Sequence, residues 1–180
     1  MRNIVNCIGT GYVGGSLAFV LAERGFDVFT YDKAGKPVGA LNVTPFNSVE
    51  QLVAQNRIEI KRSTRVYFVC VPTPMRHDGS CDTSIVESVL DELAAQYPHG
   101  DAIAVVKSTV PPGSTEAWAE KFEETGLRVV FSPEFLRESS ALDDMRNQDR
   151  IIIGGRRPHT DRVRDVLRMA FPNVPVHKTS

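Results

Sequence analysis

Asn3-Ile4-Val5-Asn6-Cys7-Ile8-Gly9-Thr10-Gly11-Tyr12-Val13-Gly14, followed on to Asp32, decides the fold of this 180-residue chain. Residues 3–8 form a short apolar run rich in β-branched side chains. Glycines interrupt it, and Val13, Leu17, Val20 and Leu21 then recur at helical spacing. The stretch reads as strand, tight turn, helix. Asp27 to Tyr31 reads as a second strand, and Asp32 closes it eighteen residues after Gly14. That is the distance at which a dinucleotide-binding βαβ unit carries its acidic residue.

Each residue type has a physical reason to stand where it does. Gly9 permits the tight turn, Gly11 lets backbone approach a pyrophosphate, and Gly14 lets the helix lie against the sheet. Phosphates would sit over the free N–H groups of the helix N-terminus, at Tyr12 and Val13, where the helix dipole favours negative charge. Asp32 would accept the adenosine ribose hydroxyls and repel the extra phosphate of NADP, so NAD is the expected cofactor. Lys33 and Lys36 are the features that speak for NADP. A bare Gly-x-Gly-x-x-Gly also occurs in turns that bind nothing. Here the strand before it, the helix after it and the spaced acid argue for a ligand.

Composition narrows the classes. Lys and Arg number 21 against 22 Asp and Glu, a net charge of −1, so there is no basic footprint for nucleic acid. No apolar run approaches the roughly 20 residues that span a bilayer, and the N-terminus lacks signal-peptide form. The expectation is one domain over residues 1–180, cytoplasmic, without nucleic acid or membrane as partner. Three cysteines make no disulfide framework. Cys7 and Cys70 fall in expected strands as small buried hydrophobes, while Cys81 lies in a loop. His77, His99, His159 and His177 are scattered, with no zinc-site spacing.

Along the rest of the chain, Lys33 to Thr44, followed by Pro45, reads as loop. Ser48-Val49-Glu50-Gln51 has capping-box form and starts a short helix to about Gln55. Arg57 to Arg62 suits either an edge strand or an extension of that helix. Val66 to Val71 is a continuous apolar run, the mark of a central parallel strand covered on both faces. It ends in Pro72-Thr73-Pro74, where the prolines turn the chain out of the sheet on the ligand side. A helix follows from Ser84 to Tyr97, with Val86, Val89, Leu90, Leu93 and Tyr97 on one face and Ser84 and Glu87 as its cap pair. Ala102 to Lys107 reads as another buried strand, with Lys107 snorkelling to solvent. Then come a helix from Ser114 to Thr125 with Trp118 and Phe122 in the core, and strands at Arg128–Phe131 and Ile151–Ile153. A helix at Thr160–Ala170 and a strand at Val174–His177 close the chain. Alternating strands and helices imply a Rossmann-type, doubly wound α/β fold: a mostly parallel sheet with helices on both faces.

Gly9-Thr10-Gly11-Tyr12-Val13-Gly14, Val71-Pro72-Thr73-Pro74, Lys107-Ser108-Thr109-Val110-Pro111-Pro112-Gly113 and Ser132-Pro133-Glu134-Phe135-Leu136-Arg137-Glu138 together resemble the NAD-binding domain of the UDP-glucose and GDP-mannose dehydrogenases. Asp149-Arg150-Ile151-Ile152-Ile153-Gly154-Gly155 fits as well, so the resemblance covers nearly the whole chain. It implies oxidation of the C6 alcohol of a nucleotide sugar, UDP-glucose foremost, to a carboxylate with two NAD, through an aldehyde and a cysteine thioester. It also implies that Thr73 and Thr109 lie along the nicotinamide side of NAD. Glu134 would help activate water, and Glu138 would sit close to cofactor and substrate. The Phe135, Leu136, Arg137 and Glu138 stretch would help hold the nucleotide sugar. From the residues alone, Glu134 and Glu138 share a face if their loop turns helically, and otherwise form a solvated acid pair around Arg137.

The sequence also departs from that pattern. The family's catalytic cysteine, active-site lysine and asparagine, and its main dimer contact, lie beyond the matching region, and Cys7, Cys70 and Cys81 match no such motif. Lys36 matches only approximately the lysine that follows the family's acid. The expectation is an NAD-binding domain that needs a C-terminal half or a second polypeptide for full catalysis, with its oligomeric state open. The alternatives are a stand-alone NAD-binding module or cofactor sensor, and a β-hydroxyacid-type dehydrogenase.

Overall fold

The computed structural model describes residues 3–59, 65–98 and 101–179. The opening stretch folds as read: β1 (Ile4–Ile8), α1 (Tyr12–Glu23) and β2 (Asp27–Tyr31). Gly9 takes φ +86°, a conformation open to glycine at little cost, and its N–H donates to Tyr31 O at 2.8 Å. Beyond it lie β3 (Val43–Phe46), α2 (Val49–Glu59), β4 (Arg65–Val69), α3 (Ser84–Gln96), β5 (Ala102–Val106), α4 (Ser114–Lys121) and β6 (Leu127–Phe131). A 3₁₀ turn (Glu138–Ser140), α5 (Ala141–Arg146), β7 (Ile151–Gly154), α6 (His159–Ala170) and β8 (Val176–Thr179) complete the chain. Among the described residues the strands form one sheet in the order β3-β2-β1-β4-β5-β6-β7-β8, parallel throughout except where β7 meets β6. The chain starts in the middle, runs outward through β2 and β3, and returns to lay β4 on the other side of β1. That reversal opens a crevice beyond the carboxyl ends of β1 and β4.

Both faces of the sheet are covered, so side chains alternate between two apolar layers. Ile103 and Val105 join α1, α5 and α6 on one face, while Ala102, Ala104 and Val106 join α2, α3 and α4 on the other. Trp118 and Phe122 are buried in the second layer, as expected. A polar pair crosses that layer: Asn56 Nδ2 donates to Asn6 Oδ1 (2.6 Å) and to Leu52 O (2.8 Å), and Asn6 Nδ2 donates back to Asn56 Oδ1 (3.2 Å) and to Val66 O (3.0 Å). Both side chains are fully buried. Replacing Asn56 with alanine leaves Asn6 short of a partner and is expected to cost about 2 kcal/mol. That corresponds to a melting temperature lower by about 4–8 °C, read by calorimetry.

Several expectations are corrected. The end of the segment read as loop runs into β3, which pairs with β2 through Thr44 and Pro45. An edge strand tolerates proline because an outward N–H has no ladder partner to lose. Arg57 to Glu59 continue α2, and the remainder of that ambiguous stretch lies outside the described residues. Helix α2 does start on Ser48, whose Oγ accepts the Gln51 N–H at 3.2 Å. The N-cap of α3 is Thr83, one residue before the expected Ser84. Thr83 Oγ1 donates to Glu87 (2.7 Å), and Asp82 accepts the Ser84 N–H (3.0 Å). Helix α5 was not anticipated. It packs on α1, where Arg146 pairs with Glu23 and lies over the Phe19 ring.

Candidate functional site

Two hollows of about 630 and 490 Å³ lie over the carboxyl ends of the central strands and meet along Gly11, Lys36, Cys70, Val71 and Pro72. Together they form one cleft across the reversal point. The larger end is bordered by Asp32, Lys33 and Ala34 after β2, and by Ser84, Ile85 and Ser88 of α3. The smaller end is bordered by Tyr12, Val13, Thr73, Thr109, Glu134 and Glu138. Residues from five separated motifs thus reach one cleft because every strand they follow, β1, β2, β4, β5 and β6, is parallel.

The join leaves backbone donors facing open space. A Cβ on Gly14 would lie 1.8 Å from Gly9 O, so only glycine lets α1 start this close to β1. A Cβ on Gly11 would meet no atom within 4 Å. The N-terminus of α1 has neither a side-chain cap nor an acidic residue in its first turn, leaving its first N–H groups and positive dipole end for a ligand. At the larger end, Asp32 Oδ2 accepts the Thr10 N–H (2.8 Å) and Oδ1 accepts that of Ala34 (2.8 Å). Partial burial raises the Asp32 pKa, but the Thr10, Ala34 and Lys36 amides outweigh it and hold the carboxyl below the usual range. Lys36 is fixed through its backbone, whose carbonyl accepts the Thr10 hydroxyl at 2.7 Å.

At the smaller end, Thr73 Oγ1 donates to Thr109 O (2.9 Å) and Ser108 Oγ to Val71 O (2.7 Å), tying the loops after β4 and β5 together. The segment between β6 and the 3₁₀ turn is not helical, and Arg137 has extended backbone at φ −91°, ψ 134°. Its side chains alternate. Glu134, Leu136 and Glu138 border the cleft, whereas Phe135 and Arg137 border a shallow depression on the other side. The two glutamates do share a face, through the two-residue period of extended chain rather than a helical turn. Arg137 is bound to Asp144 of α5 by two side-chain hydrogen bonds (2.7 and 3.1 Å), and Phe135 lies under the Arg150 guanidinium. Neither side chain reaches the cleft.

Lys107 corrects another expectation. It does not snorkel: it is buried, pairs with Glu134, and donates to Ser132 Oγ at 3.3 Å. Burial pulls its ammonium down to about 8. A fully apolar strand ending in lysine was the visible signal. The acid that meets it could be found only once β5 and β6 were known to be neighbours. Burial likewise pushes the Cys7 thiol up to about 12, and the Cys70 thiol well above its usual value, so both stay protonated. Among the described residues, no group of three His, Cys, Asp or Glu side chains is placed to hold a metal ion. No described helix is long and apolar enough to cross a membrane.

A doubly wound sheet with a glycine turn, an uncapped helix start and a carboxylate at the end of β2 defines a dinucleotide-binding domain of the dehydrogenase class. The model of the UDP-glucose/GDP-mannose dehydrogenase family, NAD binding domain, matches residues 3–171, and the chain belongs to that family as its NAD-binding domain. UDP-glucose 6-dehydrogenase of Rhizobium meliloti is 35% identical over 170 residues, covering 83% of this chain and 39% of its own length. UDP-glucose 6-dehydrogenase AglM of Haloferax volcanii is 32% identical over 205 residues, covering 97% of this chain and 47% of its own. The solved structure of a UDP-glucose dehydrogenase from Pyrobaculum islandicum matches 100% of this chain and 46% of its own, with TM-score 0.78 and 29% identity. The chain spans less than half the length of these relatives.

Proposed function

We propose that NAD lies along the cleft with its adenosine ribose on Asp32 and its pyrophosphate over the start of α1, beside Gly11, Tyr12 and Val13. Its nicotinamide end would occupy the hollow of Thr73, Thr109 and Glu138. The observation that carries this reading is the join itself. Gly11 faces open space at the point where both hollows meet an uncapped helix N-terminus. Bound there, NAD supplies a hydride acceptor. The substrate is a nucleotide sugar oxidised at its C6 alcohol, with UDP-glucose first in line because relatives bear that name. Glu134 takes a proton from the alcohol or from water, and the backbone of Phe135 to Glu138 flanks the sugar. Lys36 borders the pyrophosphate. Free cysteines fit a reducing cytoplasm.

Two results test this. Calorimetry is expected to show tighter binding of NAD than of NADP, and Asp32→Ala to erase the difference; equal affinities in the parent chain contradict the role given to Asp32. Because its folded pKa is depressed, what Asp32 contributes is fully present above the unfolded carboxylate pKa of about 3.9. It is lost as pH falls through the lower folded value. The second result concerns the thioester step. Cys7 and Cys70 are buried and protonated, and Cys81 faces the Thr109 carbonyl. Mixing this chain with UDP-glucose and NAD is therefore expected to yield little or no UDP-glucuronate by chromatography. Full turnover would show a nucleophile that the reading omits.

A further inference from the structure

We propose that Lys107 is a positioning residue for the active-site carboxylate: its ammonium holds Glu134 Oε1 against the cleft wall and turns the second oxygen toward the nicotinamide hollow. The proposal rests on the reading of that hollow given above. Lysine and glutamate are rarely buried unless paired, and here both side chains are more than nine-tenths buried, with 5% and 7% exposed. Such a pair is a weak source of stability, because desolvating two ions offsets their attraction and apolar replacements often serve as well. What the pair does provide is geometry. Lys107 N donates to Val69 O and Ser132 N to Val106 O, both at 2.9 Å, so the backbones of Lys107 and of Ser132, two residues before Glu134, are tied into the sheet. Ser132 Oγ fixes the ammonium from a second direction. Oε1 is sealed from solvent, while Glu134 still borders the hollow.

The surrounding charges leave Glu134 as the ammonium's anionic partner. Cys7 on β1 and Cys70 after β4 approach Lys107 as protonated thiols. Glu138 and Lys36 border the same hollow, and neither pairs with Lys107. Without the ammonium, Glu134 would be a buried carboxylate lacking a counter-ion, which favours its protonated form.

The test uses the 180-residue chain with ¹³C-labelled glutamate carboxyls, Glu134 being assigned by its absence in Glu134→Gln. At pH 7 the Glu134 signal is expected at the ionised position in the parent and in Lys107→Arg, and at the protonated position in Lys107→Met. A folded Lys107→Met with ionised Glu134 would overturn the proposal. Should Lys107→Met fail to fold, ¹⁵N-lysine spectra of Glu134→Gln decide. The Lys107 titration midpoint is expected to fall by at least about one pH unit once its partner is neutral, and an unmoved midpoint overturns the proposal. Adding NAD to the parent chain tests the underlying reading separately. A Glu134 signal indifferent to NAD counts against the cofactor placement, whatever the Lys107 variants show.

Discussion

Replacing Gly14 with alanine is expected to destabilise this domain by at least about 4 kcal/mol, lowering the melting temperature by about 10 °C or more. The added methyl group would fall 1.8 Å from Gly9 O and 2.9 Å from Cys70 Cβ. The first of these is backbone at the end of β1, and no rotamer change relieves it. Helix α1 would have to move off the sheet, yet its buried side chains Leu17, Val20 and Leu21 interlock with Val5, Val28 and Phe68 beneath them. Overpacking alone typically costs about 1–3 kcal/mol. The larger figure reflects a clash with the Gly9 main chain that no side-chain movement relieves. Thermal denaturation of the purified variant checks it, and a melting point within a few degrees of the parent would mean that the turn is looser than described.

Gly11→Val is expected to do the opposite: keep the fold and remove the function. Gly11 has φ −68°, which any residue adopts, and its Cβ would project into the open cleft. The stability cost is confined to replacing glycine by a poor residue at a helix N-cap, about 1 kcal/mol or less. The valine side chain would occupy the place where the pyrophosphate is proposed to approach the first N–H groups of α1. Losing one or two charge-assisted hydrogen bonds corresponds to roughly a hundredfold weaker NAD binding. Paired measurements of melting temperature and calorimetric affinity separate this outcome from simple unfolding. Near-parental NAD affinity in Gly11→Val would place the phosphates elsewhere.

The parts of the fold legible in the sequence are those whose signal is local and redundant. Val66 to Val71 and Ala102 to Val106 announce buried strands by unbroken apolar runs, and α3 shows its core face through Val86, Val89, Leu90 and Leu93. Strand β3 was hidden because Thr44 and Pro45 resemble loop. Its place is set by pairing with β2 at an edge, which a single sequence does not display. Helix α5 was hidden by its length: six residues give too little periodicity to stand out. The site divides the same way. The glycine turn and Asp32 could be read from spacing, and the alternation of Glu134, Leu136 and Glu138 against Phe135 and Arg137 follows once the segment is known to be extended. The Lys107–Glu134 pair depends on two strand ends becoming neighbours, so only the folded chain discloses it.

The most direct test of the central claim is a crystal structure of the chain grown with NAD. The expected map places the pyrophosphate against the N–H groups at the start of α1, the adenosine ribose on Asp32 and the nicotinamide ring beside Thr109 and Glu138. A dinucleotide bound away from Gly11, or a cleft without cofactor at saturating NAD, would contradict the account.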